Sequence, residues 1–314
     1  MRSIQKSSVR LFVYIRQVFR EFSADNIFKY SASLAYYTVF SIAPLLIIVI
    51  TLSGLFFGKE AVQGQVYEQL NQLIGSVAAI QIQDTIKNIH LTGNNFFASM
   101  VSVVVLLIGA TSIFGEVQDS LNKIWGLRIK TKKVWWKLLL TRLLSFSLIV
   151  SIGFIMAVSL ILNALVSAFG TFIGKYIDNY SVYFIEITEA ALSFLVATFL
   201  FSLMFKILPD AKIKWKDVLI GGFVTALFFT IGKLAIGFYL GQSNLTSLYG
   251  AAGSVIILMV WVYYSSIILY LGAEFTKVYA KLYGGRILPN EYAEWIKIEE
   301  KTVATPQLKN KDLT

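Results

Sequence analysis

The sequence predicts an all-α, polytopic membrane protein with six transmembrane helices and both termini in the cytoplasm. Three observations carry that prediction. The first is composition: of 314 residues, 56% are hydrophobic and 15% are charged, against roughly 25% charged in a soluble domain. So few charges cannot cover a water-facing surface, which places the chain in the membrane class. The second is a set of six apolar stretches of the length a bilayer core requires, about 20 helical residues each. The third is the way lysine and arginine alternate between them.

The spans fall at about 33–57, 96–115, 143–166, 182–205, 218–240 and 251–273. The first begins after a long basic stretch and is followed by no small-residue cleavage site, so it does not read as a signal peptide. Residues 1–32, 116–142, 206–217 and those after 273 carry six, seven, four and seven Lys or Arg residues, 24 in all. The intervening segments 58–95, 167–181 and 241–250 carry two, one and none. The positive-inside rule therefore puts both ends of the chain in the cytoplasm. The same asymmetry accounts for the formal net charge of +10, so a nucleic-acid partner is not needed to explain it and none is expected.

Three regions follow. Residues 1–32 form a cytoplasmic amphipathic segment. Within it, Leu11, Ile15, Val18 and Phe22 share one helical face, with Arg16 and Arg20 off it. That pattern fits a helix lying on an anionic leaflet, and it equally fits one packed on the end of the bundle. Residues 33–285 form the transmembrane domain, with an outside loop at 58–95. In that loop Val62, Val66, Leu70, Leu73 and Val77 recur at helical spacing. Residues 286–314 form a cytoplasmic, partly disordered tail, charged and aperiodic near its end.

One cation lies within a span. Lys233 sits in "TALFFTIGKLAIGFYLG" (225–241), seven residues before the outer end of the fifth span, at a depth of about 10 Å. Glu189 lies seven residues into the fourth span, at the same depth, and Glu186 is one turn shallower. A short loop makes the two helices antiparallel neighbours. An ionisable group in a span is costly and is a functional candidate by default. Lys233 is therefore expected to pair with Glu189 or Glu186. Snorkelling to the outer headgroups is the competing account. Helical side chains lean toward the helix N-terminus, here the cytoplasmic end, which opposes it. With Asn163 near the outer end of the third span, these groups would line an outward-facing cavity for a zwitterionic or anionic solute or a lipid headgroup.

Other features have packing roles. Pro44 removes a backbone hydrogen bond and is expected to kink the first span near Phe40. Gly237 with Gly241, and Gly250 with Gly253 and Ser254, favour close helix contact within the bundle, or homodimerisation as a second use. Trp125, Trp135, Trp136 and Trp215 flank cytoplasmic span ends and read as interface anchors. Cysteine is absent and His90 is the one histidine, which leaves no zinc site of the usual kind. The cytoplasmic acids Glu21, Asp25, Glu116, Asp119, Asp210, Asp217 and Glu274 have no metal-ligand spacing. No metal, cofactor or catalytic residue is expected, and the partners implied are membrane lipids.

Four blocks carry a resemblance: "SASLAYYTVFSIAPLL" (31–46), "FGEVQDSLNKIWGLR" (114–128), "ILPDAKIKWKDVLIGG" (207–222) and "SLYGAAGSVIILMVWVYYSSIILYLGAEFTKVY" (247–279). They resemble the YihY / virulence factor BrkB family of bacterial inner-membrane proteins, over about residues 10–285. The resemblance implies six spans with both ends inside, an inner-membrane location, and links to serum resistance and envelope lipid traffic. It also brings an old ribonuclease label. RNA cleavage needs metal-binding carboxylates, histidines or an equivalent cluster, and the acids above do not supply one by spacing. A transporter or lipid-handling protein is the leading expectation, with a membrane-bound ribonuclease and an envelope scaffold as alternatives.

Overall fold

The computed structural model describes residues 2–41, 80, 109, 112–130, 181–242, 249, 253–285 and 287–296. They are predominantly helical. Helix α1 runs Arg2–Ala24. Residues 27–41 (α2) and 112–124 (α3) are helical. Long helices follow at Ser181–Ile207 (α4), Trp215–Gln242 (α5) and Gly253–Leu282 (α6). Four short strands are interposed: β1 at Leu127–Ile129, β2 at Ala211–Lys212, β3 at Leu288–Pro289 and β4 at Ala293–Trp295.

Three helical segments are long and apolar enough to cross a membrane: Ile187–Ile207, Trp215–Leu240 and Val255–Leu282. They coincide with the expected fourth, fifth and sixth spans. The first two expected spans are described only at their ends. The third span, Pro44, Asn163, His90, Trp135, Trp136 and residues 297–314 lie outside the described residues, as does the loop 58–95 apart from Ile80.

The side chains of these helices divide as a lipid environment requires. On α5, Phe223, Leu227, Ile231, Leu234 and Phe238 form an uncovered stripe at three- and four-residue spacing. In water so large an apolar surface would drive association; in a bilayer it is solvated by acyl chains. The opposite face carries Val218, Gly221, Gly222, Thr225 and Ala226, and their small size lets neighbours approach closely. A Cβ on Gly222 would lie 2.7 Å from the Thr198 carbonyl oxygen and 2.9 Å from the Ser202 nitrogen of α4. On the other side, Gly221 receives Thr276 of α6 while Gly272 of α6 receives Thr225. These reciprocal glycine–threonine contacts fix α5 antiparallel to α6. The hydroxyls involved donate back to their own helices, Thr225 to Gly221 O and Thr276 to Gly272 O, each at 2.7 Å. A polar side chain is thereby satisfied without water.

The densest core lies at one end of this bundle. There Ile27 and Leu34 of α2 meet Val117, Leu121 and Ile124 of α3, Phe205 of α4, Val218 of α5, and Tyr270 and Ala273 of α6. Two antiparallel ribbons close over it. Strand β1 pairs with β4, Leu127 opposite Trp295, and β2 pairs with β3, Ala211 opposite Pro289. The expectation of an all-α chain therefore needs these strands added. Runs of two or three residues carry no period-two signal from which to predict them. They also give the start of the tail a fixed place, since β4 lies beyond residue 291.

Helix α1 packs on the same end. Tyr14 and Val18, one turn apart, are buried against Val278, Leu271 and Phe275, and the Tyr14 hydroxyl donates to Phe275 O at 2.9 Å. Burial, with Tyr283 and Tyr279 nearby, pushes the Tyr14 phenol well above its usual pKa. Ile15 and Phe19 stay uncovered beside exposed Arg16 and Arg20. The face of α1 that packs is thus rotated from the one picked out by hydrophobicity alone. Asn26 makes the corner into α2 with φ 52°, a left-handed conformation that asparagine tolerates better than most residues.

Candidate functional site

The described charged groups fall into two places. The first is along the α4–α5 contact. Gly222 packs against Thr198 and Ser202, so it lies level with about residue 200. From there α5 runs eleven residues to Lys233, and antiparallel α4 runs eleven residues back to Glu189. The register therefore sets Lys233 and Glu189 at one height. Both are partly buried. Lys233 follows Gly232, which abuts Ile268 and Tyr264 of α6, so the residue borders the side where all three helices meet. The Glu186 side chain and all of Asn163 lie outside the described residues.

The second place is at the end where the basic segments gather. Glu21 and Asp25, four residues apart at the end of α1, reach the same point as Glu274 and Lys277 of α6. The Lys277 ammonium lies 2.7 Å from Glu21 Oε2, 2.9 Å from Asp25 Oδ2 and 3.3 Å from Glu274 Oε2. One carboxylate oxygen from each acid lies within 4.8 Å of the others. Glu274 is wholly buried, and neither of its oxygens has an aligned hydrogen-bond donor among the described residues. Sequence spacing had separated these groups, because Asp25 and Lys277 are 252 positions apart. The legible trace was local: i, i+4 for the acids on α1 and i, i+3 for Glu274 and Lys277.

The remaining acids at this end are structural. Asp119 pairs with Lys123 at 2.6 Å, a hydrogen bond that raises the lysine's pKa. Asp210 and Asn122, both buried, bond reciprocally: Asn122 Nδ2 donates to Asp210 Oδ2 at 2.7 Å, and Asp210 N donates to Asn122 Oδ1 at 2.8 Å. Asp217 Oδ2 accepts from Gly285 N at 3.0 Å. Lys206 donates to the Ile213 carbonyl and lies 5.7 Å over the Trp215 ring.

Two packing expectations change. Trp125 is buried rather than an interface anchor, and its indole N–H donates to Ala273 O at 3.2 Å. Flanking position alone does not distinguish a ring at a headgroup from one roofed by later chain. Gly237 has open space where a Cβ would stand, so among the described residues it makes no close contact; Gly221, Gly222 and Gly272 do.

Comparison with known proteins supplies the wider setting. A family model described as "Virulence factor BrkB" matches residues 18–293. Relatives named "UPF0761 membrane protein" include one from Stenotrophomonas maltophilia strain R551-3, 28% identical over 86% of this chain and 61% of its own length. Another, from Psychromonas ingrahamii, is 26% identical over 88% of this chain and 90% of its own. A third, from Pseudoalteromonas atlantica, is 24% identical over 85% of each. The chain thus spans less than two thirds of the Stenotrophomonas relative. No solved structure matches.

Proposed function

The chain belongs to the virulence factor BrkB family of membrane proteins, and from that premise we propose that it is a bacterial inner-membrane transporter or lipid-handling protein. In this reading six helices cross the membrane and the basic end, with both termini, faces the cytoplasm. Lys233, Glu189, Glu186 and Asn163 line a polar cavity on the opposite side. The groups it offers, one ammonium, two carboxylates and an amide, suit a zwitterionic or anionic solute or the headgroup of a lipid. The reading assigns no catalytic step, cofactor or nucleic-acid partner.

One observation carries it: the α4–α5 register sets Lys233 level with Glu189 inside two apolar helices. Ionised groups at such depth need a partner or a guest, and two opposite charges at one height on adjacent helices can serve each other or share one. Pro44 and the small residues elsewhere in the spans fit helices that pack closely and move, but they carry less weight.

The test is a charge exchange. Lys233→Glu and Glu189→Lys are expected, singly, to abolish complementation of an envelope-permeability or transport defect in a strain lacking the protein. Together they should restore much of it, since each re-creates the other's partner. Single variants that insert normally and complement as well as wild type would end this reading.

A further inference from the structure

We propose that α1 lies on an anionic lipid leaflet at its end of the bundle, with Ile15 and Phe19 at the acyl boundary and Arg16 and Arg20 against lipid phosphates. This rests on the membrane placement of α4 to α6 and not on the cavity at Lys233, so each can fail without the other.

The three faces of the helix are the first argument. Tyr14 and Val18 dock on α6, and Glu21 joins them through Lys277. One step around the helix, at about 100° per residue, stand Ile15, Phe19 and Phe22. Ile15 and Phe19 are 45% and 59% exposed. A further step brings Arg16 and Arg20, both exposed. Val13 also stands on that side, and single exposed apolar residues are ordinary. Faces in this order let one helix rest against protein, acyl chains and headgroups at once. The charge has one sign. Helix α1 contains Arg2, Lys6, Arg10, Arg16 and Arg20 and a single acid, Glu21, which Lys277 already engages. A second α1 would bring like charge to this face, whereas an anionic leaflet brings the opposite.

Position along the bundle is the second argument. The Tyr14 ring lies 5.0 Å from Phe275 and 6.0 Å from Tyr283. Seven residues on, about 10 Å along the helix, Glu21 reaches Lys277, which lies between those two contacts. So α1 crosses α6 rather than following it, as a helix in the membrane plane must. Gly221 opposite Thr276 and Thr225 opposite Gly272 set the register of α5 and α6, which puts Leu219 and Phe223 level with Val278 and Glu274. Both are exposed, so α1 lies where the lipid-facing stripe of α5 begins. Trp215, exposed between exposed Lys214 and Lys216, stands one turn nearer the end, as a headgroup layer requires. The apolar stripe of α1 also faces the right way. Phe22 meets Phe28 edge-on at 5.6 Å, and the Tyr30 ring lies 6.4 Å from Tyr270, one turn deeper on α6 than Glu274. Helix α2 therefore leaves the corner on the Phe22 side and runs into the bundle, which makes that side of α1 the membrane side.

The chain has no cysteine, so single spin labels can be placed on the full-length protein in nanodiscs at Ile15→Cys, Phe19→Cys, Val13→Cys and Ala24→Cys. Collisions with oxygen, which concentrates in lipid, are compared with those of a water-soluble nickel chelate. The oxygen-to-nickel ratio is expected to be at least about threefold higher at 15 and 19 than at 13 and 24. Adding phosphatidylglycerol to phosphatidylcholine nanodiscs should raise it about twofold further at 15 and 19, and high salt should cancel that gain. Arg16→Gln with Arg20→Gln should remove at least about half of the gain. Docking is read separately by maleimide labelling of Val18→Cys, whose parent side chain is buried and whose thiol should stay protected in the double variant. If it does not, each single arginine variant is used, with a smaller loss of the gain expected. Labels at 15 and 19 shielded from both probes would mean that protein covers the face, this chain's own or a second copy's, and would overturn the proposal. Labels open to the nickel chelate would place the face in water and overturn it too. So would a ratio indifferent to phosphatidylglycerol, or a gain that ignores loss of the arginines.

Discussion

The same three helices, α4 to α6, behave differently along their lengths. Through the apolar part they touch through apolar side chains such as Ile236, Leu240 and Ile257 with Trp261 and Tyr264, with close glycine–threonine approaches where that part meets the packed end, and a further set of large side chains points outward. At the end near α1 they are buried under other chain: an aromatic and aliphatic core, two small β-ribbons and a set of buried polar pairs. The difference follows from the solvent. In lipid there is no gain from burying one leucine against another, so close backbone contact and dispersion do the joining. Where the helices emerge, water returns and the hydrophobic effect again rewards a packed core. The contrast implies that steric changes are worst in the first region and polar deletions worst in the second.

The largest effect is therefore expected at Gly222. In Gly222→Val the new Cβ meets the backbone of Thr198 and Ser202, which cannot rotate aside. The helix pair must separate, and a loss of about 3 kcal/mol or more is expected, seen as a collapse in folded yield and in the detergent unfolding midpoint. Gly237→Val is the control, since its Cβ meets nothing among the described residues. Equal damage at both positions would show that the lipid-side contacts are not organised around Gly222.

Next comes Asn122→Leu in the packed end. It leaves the buried Asp210 carboxylate without its amide donor and Asp210 N without its acceptor. Removing the amide donor to a buried carboxylate costs about 1.5–3 kcal/mol. The double variant Asn122→Leu with Asp210→Leu should recover part of this, because the carboxylate that lost its amide donor is then removed as well. A double variant worse than the sum of the singles would mean that Asp210 has a second role.

How much of this was legible follows the same divide. The fourth to sixth spans were plain in the sequence, because a lipid-facing helix needs only composition and length, and both are local. The level match of Lys233 and Glu189 could be counted from residue numbers, since a short loop fixes the register of two neighbours. The packed end could not be read in this way. Strand β1 finds β4, and Asp25 finds Lys277, across most of the chain, and neither pattern leaves a periodic trace. Trp125 illustrates the failure: its position beside a span suggested a headgroup anchor, and only the fold of residues 273–296 over it shows that it is core. The cluster of Glu21, Asp25 and Glu274 was missed for the same reason.

A smaller effect is expected at Tyr14, where α1 meets α6. Tyr14→Phe keeps the ring, and with it the edge-on contact to Phe275 at 5.0 Å, but loses the hydroxyl's bond to Phe275 O. Deleting one such bond costs about 1 kcal/mol. Maleimide labelling of Val18→Cys should accelerate about fivefold if α1 undocks as a unit. Labelling that is unchanged would mean that apolar packing alone holds the helix.

The smallest effect is expected where the packed end meets water. Arg128 and Glu294 face each other across β1 and β4, with Nε 2.9 Å from Oε1 and side chains 65% and 43% exposed. Exposed pairs of this kind contribute about 0.2–1 kcal/mol and are screened by salt. The ribbon has other supports: Leu127 is buried beneath it, and Ile296 N donates to Gly126 O at 2.7 Å. Arg128→Ala should therefore lower the unfolding midpoint slightly at low ionic strength, and the difference should vanish in high salt. Leu127→Ala, which opens a cavity in the core, should cost about 2–5 kcal/mol at any salt concentration. If the order were reversed, surface charge would be holding this end together, and the hydrophobic core inferred for it would not.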